Sequence, residues 1–499
     1  MADFLRSPKS SLLIPLILFL FALAIRIPFT SDMLFHHDSV NFALALEHYD
    51  ISGHQPHPPG YFLYVMLGKL VHLFIADANS ALVSMSIAFS SLTVLFTYLL
   101  AEAMYDRRTA IIASLLAVVS PNLWFHAEVA LTYGAEAFFS TLTGFLCWKL
   151  YQGRQCAIWM SVLALGVAGG FRQNTMIVLF PLWLIAAWKG PGRTRIIPAL
   201  ALLVIVCAAW FLPMVSMTGG TGVYLGAFKE LWEFSTGHNS VFEKGWQHFL
   251  IFSRAILSFS IYNLGAGVVI IGTAFYAAAR NGELSSICHG TRWFYAAWIL
   301  PSYLFYQFIF IHPANPGYAL IFLPPLLLLC ARGTLRLGER MATISGPKRI
   351  AILTSALLVA NTSMFLFSDT EISLPTIRRH DRDLTLIVKE MSSFDPDNTA
   401  MILQPYLFYG FRLLMYYLPE YTMYMRNGNS VTAGKRQVFW GTGRRTFISD
   451  KILLPANIGR IATFDFEKKD GANSHKVDGL KEIWFSSGPA SEMMRDMPN

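Results

Sequence analysis

The sequence predicts an α-helical polytopic membrane protein with a C-terminal α/β domain outside the membrane. Three observations lead there. Mean hydropathy is +0.45 and only 14% of the 499 residues are charged, too apolar for a soluble chain of this size. About eleven apolar windows of roughly 17 to 25 residues, each long enough to span a bilayer, are centred near residues 20, 91, 115, 143, 164, 181, 205, 267, 301, 325 and 358. After residue 367 the hydropathy drops. Residues 368–499 mix charge, short apolar runs such as Thr399 to Leu403, and turn formers such as Asn427-Gly428-Asn429 and Gly441-Thr442-Gly443, the pattern of a soluble α/β domain. Residues 1–367 form the membrane domain.

The first window, Leu12 to Ile25, follows Arg6 and Lys9 as a signal peptide would. The sequence after it, Arg26-Ile27-Pro28-Phe29, lacks a small-residue cleavage site, so it is expected to be a retained first helix. Numbering the loops alternately separates the basic residues. One set holds 16, including Arg107, Arg108, Arg193, Arg195, Arg332 and Arg336; the other holds 6: Arg26, Lys69, Arg172, Lys229, Lys244 and Arg254. The positive-inside rule then puts the N-terminus in the cytoplasm and the second set outside. The external segments become 28–79, 124–133, 171–175, 217–250 and 311–318, and an odd number of spans exports the C-terminal domain.

The net charge of +8 needs no nucleic-acid partner, because the bases punctuate apolar segments. The five cysteines, Cys147, Cys156, Cys207, Cys288 and Cys330, have no metal or redox spacing and read as packing residues. No glycine-rich nucleotide loop, zinc-protease motif or internal repeat is present.

The first external loop, 28–79, is the most unusual part of the chain. After Asp38-Ser39, the residues Phe42, Leu46 and Tyr49 recur at helical spacing, predicting a short amphipathic helix along the outer membrane surface. Asp38 suits either the N-cap of that helix or a carboxylate working at the lipid–water boundary. Pro56, Pro58 and Pro59 then forbid regular helix and Gly60 permits a tight reversal. A second amphipathic run, Tyr61 to Ile75, follows. A carboxylate on a stiff scaffold at the membrane edge suits a reaction between a lipid-embedded substrate and one arriving from outside.

With an acidic residue early in the first external loop, Asp38, the turn His57-Pro58-Pro59 closing it, an acidic element after the third span, and about eleven spans before an external domain, the chain resembles the GT-C superfamily of polyprenyl-phosphate-sugar-dependent glycosyltransferases. Protein O-mannosyltransferases and the aminoarabinose transferases of lipid A belong to it. The resemblance covers the N-terminal two thirds, and the C-terminal domain matches by position alone. It implies inverting displacement at the anomeric carbon, with Asp38 as general base on the acceptor hydroxyl and a lipid phosphate as leaving group. Glu128 and Glu136 are the matches for the second acidic element, with Glu128 favoured to touch substrate. Many relatives carry Asp where this chain has Tyr133.

The other substrate-binding candidates are His57 in the turn, Arg172, whose planar fork suits phosphate, His312 and Tyr318 in IHPANPGY, and Lys69. Six of the 13 histidines lie between residues 36 and 72. Their spacing matches no closed zinc site, so no cofactor is expected, with a divalent ion the one alternative. The expected partners are a polyprenyl-phosphate sugar donor, a periplasmic acceptor that is a lipid, glycan or protein, and the lipids of a bacterial inner membrane. A transporter or flippase of lipid-linked glycans is the rival reading. Transporters favour repeated halves and midplane charges, whereas the ionisable residues here gather at one face.

Overall fold

The computed structural model describes residues 12–190, 193–283, 290–340, 346–403, 411–427, 430–434, 447–449, 454, 456–465, 473–476 and 484–493. Arg6, Lys9, Cys288, Gly428, Asn429 and Gly441-Thr442-Gly443 lie outside the described residues.

The helices run in order α1 Leu13–Arg26, α2 His37–Glu47, α3 Phe62–His72, α4 Ala78–Met104, α5 Arg107–Val118, α6 Pro121–Phe125, α7 Tyr133–Tyr151, α8 Ala157–Phe171, α9 Gln173–Lys189 and α10 Ile196–Met217. They continue with α11 Thr221–Asn239, α12 Val241–Lys244, α13 Trp246–Leu264, α14 Gly267–Arg280, α15 Arg292–Phe308, α16 Leu323–Arg340, α17 Gly346–Phe367, α18 Leu374–Met391, α19 Phe411–Tyr417 and α20 Ala490–Met493. Two compact units result. One comprises 1–30, 61–221 and 231–376; the other comprises 31–60, 222–230 and 377–499. Compactness thus groups the first half of the 28–79 loop with the C-terminal residues.

The first unit is helical and belongs to a multi-pass membrane protein. Among the described residues four helices are long and apolar enough to cross a bilayer: Ala78–Met104, Arg193–Met217, Pro316–Arg340 and Gly346–Phe367. Apolar surface is plain on α10, where Ile197, Val204, Ile205 and Leu212 are exposed, as a bilayer-crossing helix requires. The window near 267 is not one straight helix. Helices α13 and α14 meet there at 104° because Gly265 takes φ 53°, a left-handed conformation suited to glycine. Asn361 of α17 secures the break, accepting from Ala266 N–H at 3.1 Å and donating to the Leu264 carbonyl at 3.0 Å.

Close packing holds the remaining helices. A Cβ on Gly144 of α7 would sit 2.0 Å from the Trp298 ring, and the Trp298 indole donates to Ser140 Oγ one turn away at 2.9 Å. Buried polar side chains knit α6 to its neighbours: Ser120 donates to the Asn263 carbonyl, Asn122 to the Pro316 carbonyl and the Asn263 side chain, and Asn263 to the Ala319 carbonyl, all at 2.7–2.8 Å. Buried groups paired in this way specify one arrangement of the helix ends. They fix the turn that follows α6.

Among the described residues the second unit contains a seven-stranded sheet of order β4-β3-β2-β1-β5-β7-β6, with β1 Thr399–Leu403, β2 Thr422–Asn427, β3 Ser430–Gly434, β4 Phe447–Ser449, β5 Arg460–Asp465, β6 Asn473–Lys476 and β7 Trp484–Pro489. The central strand β1 is parallel to both β2 and β5, and the outer pairs are antiparallel. Ala400 and Ile402 on one face of β1 pack with Tyr424, Ile458, Ile461 and Met493. Helix α2 belongs to this unit and departs from the surface-lying expectation: every residue from Ser39 to Leu46 is buried. Its polar Asn41 is satisfied by Arg412 of α19, whose Nε donates at 3.0 Å. A C-terminal helix therefore covers the side that the sequence pattern assigned to water.

Candidate active site

The start of α2 carries the first group of site residues. His36 is the N-cap: its Nδ1 accepts from Asp38 N–H at 3.2 Å, and its own N–H donates to Ser39 Oγ at 3.3 Å. This reciprocal box satisfies helix-end donors and leaves the Asp38 carboxylate out of the capping. Asp38 sits in the first turn, where the helix dipole favours negative charge.

Three imidazoles converge on that carboxylate, His37 at 3.1 Å, His57 at 3.4 Å and His36 at 3.5 Å. His57 arrives through a closed loop. Asp50 and Gln55 form a backbone bridge, with Asp50 N–H donating at 2.6 Å and Gln55 N–H at 2.8 Å, and Tyr49 Oη donates to the Gly60 carbonyl at 2.7 Å. His54 and Gly60 take left-handed φ of 52° and 116°, tight reversals that bracket the prolines. Arg412, fully buried, reaches the loop's other end by donating to the His54 carbonyl at 3.3 Å.

Burial alone would raise the Asp38 pKa, but the charges of His57 and His37 and the hydrogen bonds of His36 and His37 outweigh it and hold the carboxyl well below the usual range. His37, whose side chain is 58% exposed, has its pKa raised: desolvation opposes this, but the charge and hydrogen bond of Asp38 override it together with a smaller opposing effect of Arg412. The carboxylate side chain is 20% exposed, so a hydroxyl can reach it. Ligand atoms of His36, His37 and Asp38 lie within 4.8 Å of one another. A closed zinc site takes four ligands, whereas this group has three residues and His36 Nδ1 already accepts a helix-end N–H.

The second group lies in the helical unit. Arg172, at the junction of α8 and α9, places Nε 3.5 Å from Glu136 of α7 and donates from Nη1 to Thr132 at 3.0 Å. Its guanidinium lies over the Tyr133 ring at 4.4 Å and the Tyr318 ring at 5.2 Å, a stacked cation–π arrangement. Gly317 permits that approach, since a Cβ there would meet Tyr133 at 2.4 Å. Tyr133, at the place where many relatives of the resembled family carry Asp, thus contacts the arginine with a ring face. Glu136 also accepts from Thr175 at 3.3 Å.

The structure therefore brings Asp38 together with His57, and Arg172 together with Tyr318. Glu128, in the turn after α6, is fully buried and interacts electrostatically with the equally buried Arg26, while Glu136 is the carboxylate beside Arg172. Lys69 is half-buried on α3. His312 is exposed and accepts from Ala314 N–H at 3.3 Å within its own turn. Sequence reasoning missed His36 as the cap, Arg412, and the neighbours of residues 31–35 on α18. Only the histidine density of residues 36–72 hinted at the first.

Residues 51–194 match a family model described as the N-terminal domain of protein O-mannosyl-transferase TMEM260. ArnT from Cupriavidus metallidurans in the apo state superposes with a TM-score of 0.57 at 11% identity, covering 95% of this chain and 97% of that one. The same protein bound to undecaprenyl phosphate gives 0.58 at 11% identity, over 97% and 99%. The chain shares the fold of ArnT. An Archaeoglobus fulgidus oligosaccharyltransferase matches more distantly, with a TM-score of 0.46 at 13% identity over 82% of this chain and 62% of that one. No curated protein sequence matches significantly. The family match takes in His57, Lys69, Glu128, Glu136 and Arg172, and begins beyond Asp38.

Proposed function

We propose that the protein is an integral-membrane glycosyltransferase that moves a sugar from a polyprenyl-phosphate carrier to a periplasmic acceptor, with Asp38 as general base. The observation that carries this reading is the Asp38 carboxylate: left out of the helix cap, partly exposed, and surrounded by His36, His37 and His57. The ArnT-like fold supports it, as does the solved complex of ArnT with undecaprenyl phosphate.

In the proposed reaction the acceptor hydroxyl gives its proton to Asp38 as its oxygen attacks the anomeric carbon. The bond from that carbon to the phosphate oxygen breaks, and the polyprenyl phosphate leaves with the electron pair and the negative charge. One displacement inverts the anomeric centre. Substrate-binding roles are assigned to His57 and Lys69, and phosphate binding to Arg172 with Tyr318, where charge grows during departure. Glu136 keeps the buried arginine paired when no donor is bound. His312 is assigned to substrate binding, and Glu128 to the second acidic element of the site.

The full reading has about eleven spans, the N-terminus in the cytoplasm, and residues 368–499 as a soluble periplasmic domain of a bacterial inner-membrane protein. The purified protein in nanodiscs, given synthetic polyprenyl-phosphate sugars and a glycolipid, glycan or peptide acceptor, should release polyprenyl phosphate and give a product of inverted configuration. Cells without the protein should lose a glycosylated envelope component. An unchanged glycan profile together with loss of a transported solute would replace this reading with the transporter.

A further inference from the structure

Each residue from 31 to 35 in the segment leading into the Asp38 helix meets a C-terminal side chain, and Ser31 Oγ also lies 2.7 Å from the Met33 carbonyl. Asp381 of α18 accepts from Ser31 Oγ at 2.6 Å, from Asp32 N–H at 3.0 Å and from Met33 N–H at 3.3 Å. Tyr417 of α19 accepts from Leu34 N–H at 2.7 Å through its hydroxyl. His380, next to Asp381, donates from Nε2 to the Leu34 carbonyl at 3.0 Å and lies against the Phe35 ring at 4.6 Å. Ser31, Leu34, His380 and Asp381 are all buried.

An irregular segment has no helix or strand ladder to satisfy its backbone, so its conformation follows from whatever accepts and donates along it. Here those partners are His380 and Asp381 of α18, joined by Tyr417 of α19. We infer that Asp381 and His380 are positioning residues for the Asp38 base: α18 clamps residues 31–35 and thereby sets where α2 begins and where its carboxylate points. This rests on Asp38 being the base, and it gives the C-terminal residues a part in the reaction. Small errors in the placement of a reacting group cost orders of magnitude in rate, so the clamp acts on turnover rather than on donor binding.

The test uses the full-length protein in nanodiscs and reads hydrogen exchange beside steady-state kinetics. Asp381→Ala should speed amide exchange in residues 31–39 and leave Ala78–Met104 unchanged. It should lower kcat about tenfold with KM for the lipid donor within about twofold. Asp381→Asn, which retains an accepting oxygen, should recover most of the kcat. His380→Phe, which keeps the ring against Phe35 but removes the bond to Leu34, should fall between them. Exchange in 31–39 that stays at wild-type rates, faster exchange there with an unchanged kcat, or faster exchange throughout the chain would each overturn the inference. A wild type that transfers no sugar while Asp381→Ala still loosens 31–39 would sink the proposed reaction and leave the clamp standing, so the two failures read differently.

Discussion

His57 places its Nδ1 3.4 Å from Oδ1 of Asp38, so the turn that closes the first loop returns to the carboxylate that opens it. Together with the His36 cap, this separates two roles that the sequence left joined. Because His36 supplies the capping nitrogen, Asp38→Asn should leave the helix intact and cost little stability. Transfer should nonetheless fall by about 10²- to 10⁴-fold, the usual range for loss of a general base. Thermal unfolding and initial rates on the same preparations decide it; a variant transferring sugar near the wild-type rate would remove Asp38 from the chemistry.

The titration of the cluster has a definite sign. His37 is raised in the fold, so its pairing contributes stability fully below its unfolded value, about 6.5, and loses it as pH rises through the raised folded value. Asp38 is depressed, so its contribution is present above about 3.9 and is lost as pH falls through the folded value. Between those limits the carboxylate is ionised but weakly basic, because imidazolium neighbours stabilise its charge. The transfer rate should therefore rise with pH above about 6.5, and in Asp38→Asn the His37 resonance should titrate at a lower pH than in wild type. Histidine-selective NMR in nanodiscs checks the second point, and an unmoved His37 titration would contradict the coupling.

Much of this site could be read from the sequence because its signals are local. Asp38, the proline-stiffened turn and the helical spacing after residue 38 all lie within one loop, as does the histidine that meets the carboxylate. What could not be read depends on partners hundreds of residues away. Asn41 looks like a solvent-facing polar residue until Arg412 is seen to cover it, and nothing in LPTIRRHDRDL marks Asp381 as the acceptor for residues 31–33. The bend at Gly265 was hidden for another reason: apolar residues continue through it, and hydropathy does not register a left-handed glycine. The likeness of Glu128 and Glu136 as acidic residues of one region concealed opposite partners, Arg26 for the first and Arg172 for the second.

Chelation gives an independent check on the chemistry. The Asp38 charge is already met by imidazoles, and one nitrogen of the potential ligand group is spent on the cap. Transfer should persist, within about twofold, after dialysis against a strong chelator. A loss of activity that zinc, manganese or magnesium restores would assign an ion to His36, His37 and Asp38.

Arg172 presents a harder problem, since its removal affects two things at once. Arg172→Ala should leave Glu136 buried without its charge partner, a loss typically of about 3 to 5 kcal/mol, so a fall in activity alone would say nothing about the donor. Pairing it with Glu136→Gln removes the stranded charge and should restore most of the thermal stability. If the guanidinium also holds the donor phosphate, the double variant remains slow on limiting lipid donor by about ten- to a hundred-fold. That follows from a charge-assisted hydrogen bond of about 1.5 to 3 kcal/mol at about 1.36 kcal/mol per tenfold. Part of the deficit should persist at saturating donor, because the leaving phosphate gains charge in the transition state. Arg172→Lys keeps the charge but loses the fork and the stack on Tyr133 and Tyr318, and should lie between wild type and the double variant in donor dependence. Stability and kinetics recovering together in Arg172→Ala/Glu136→Gln would show that the arginine serves only its carboxylate.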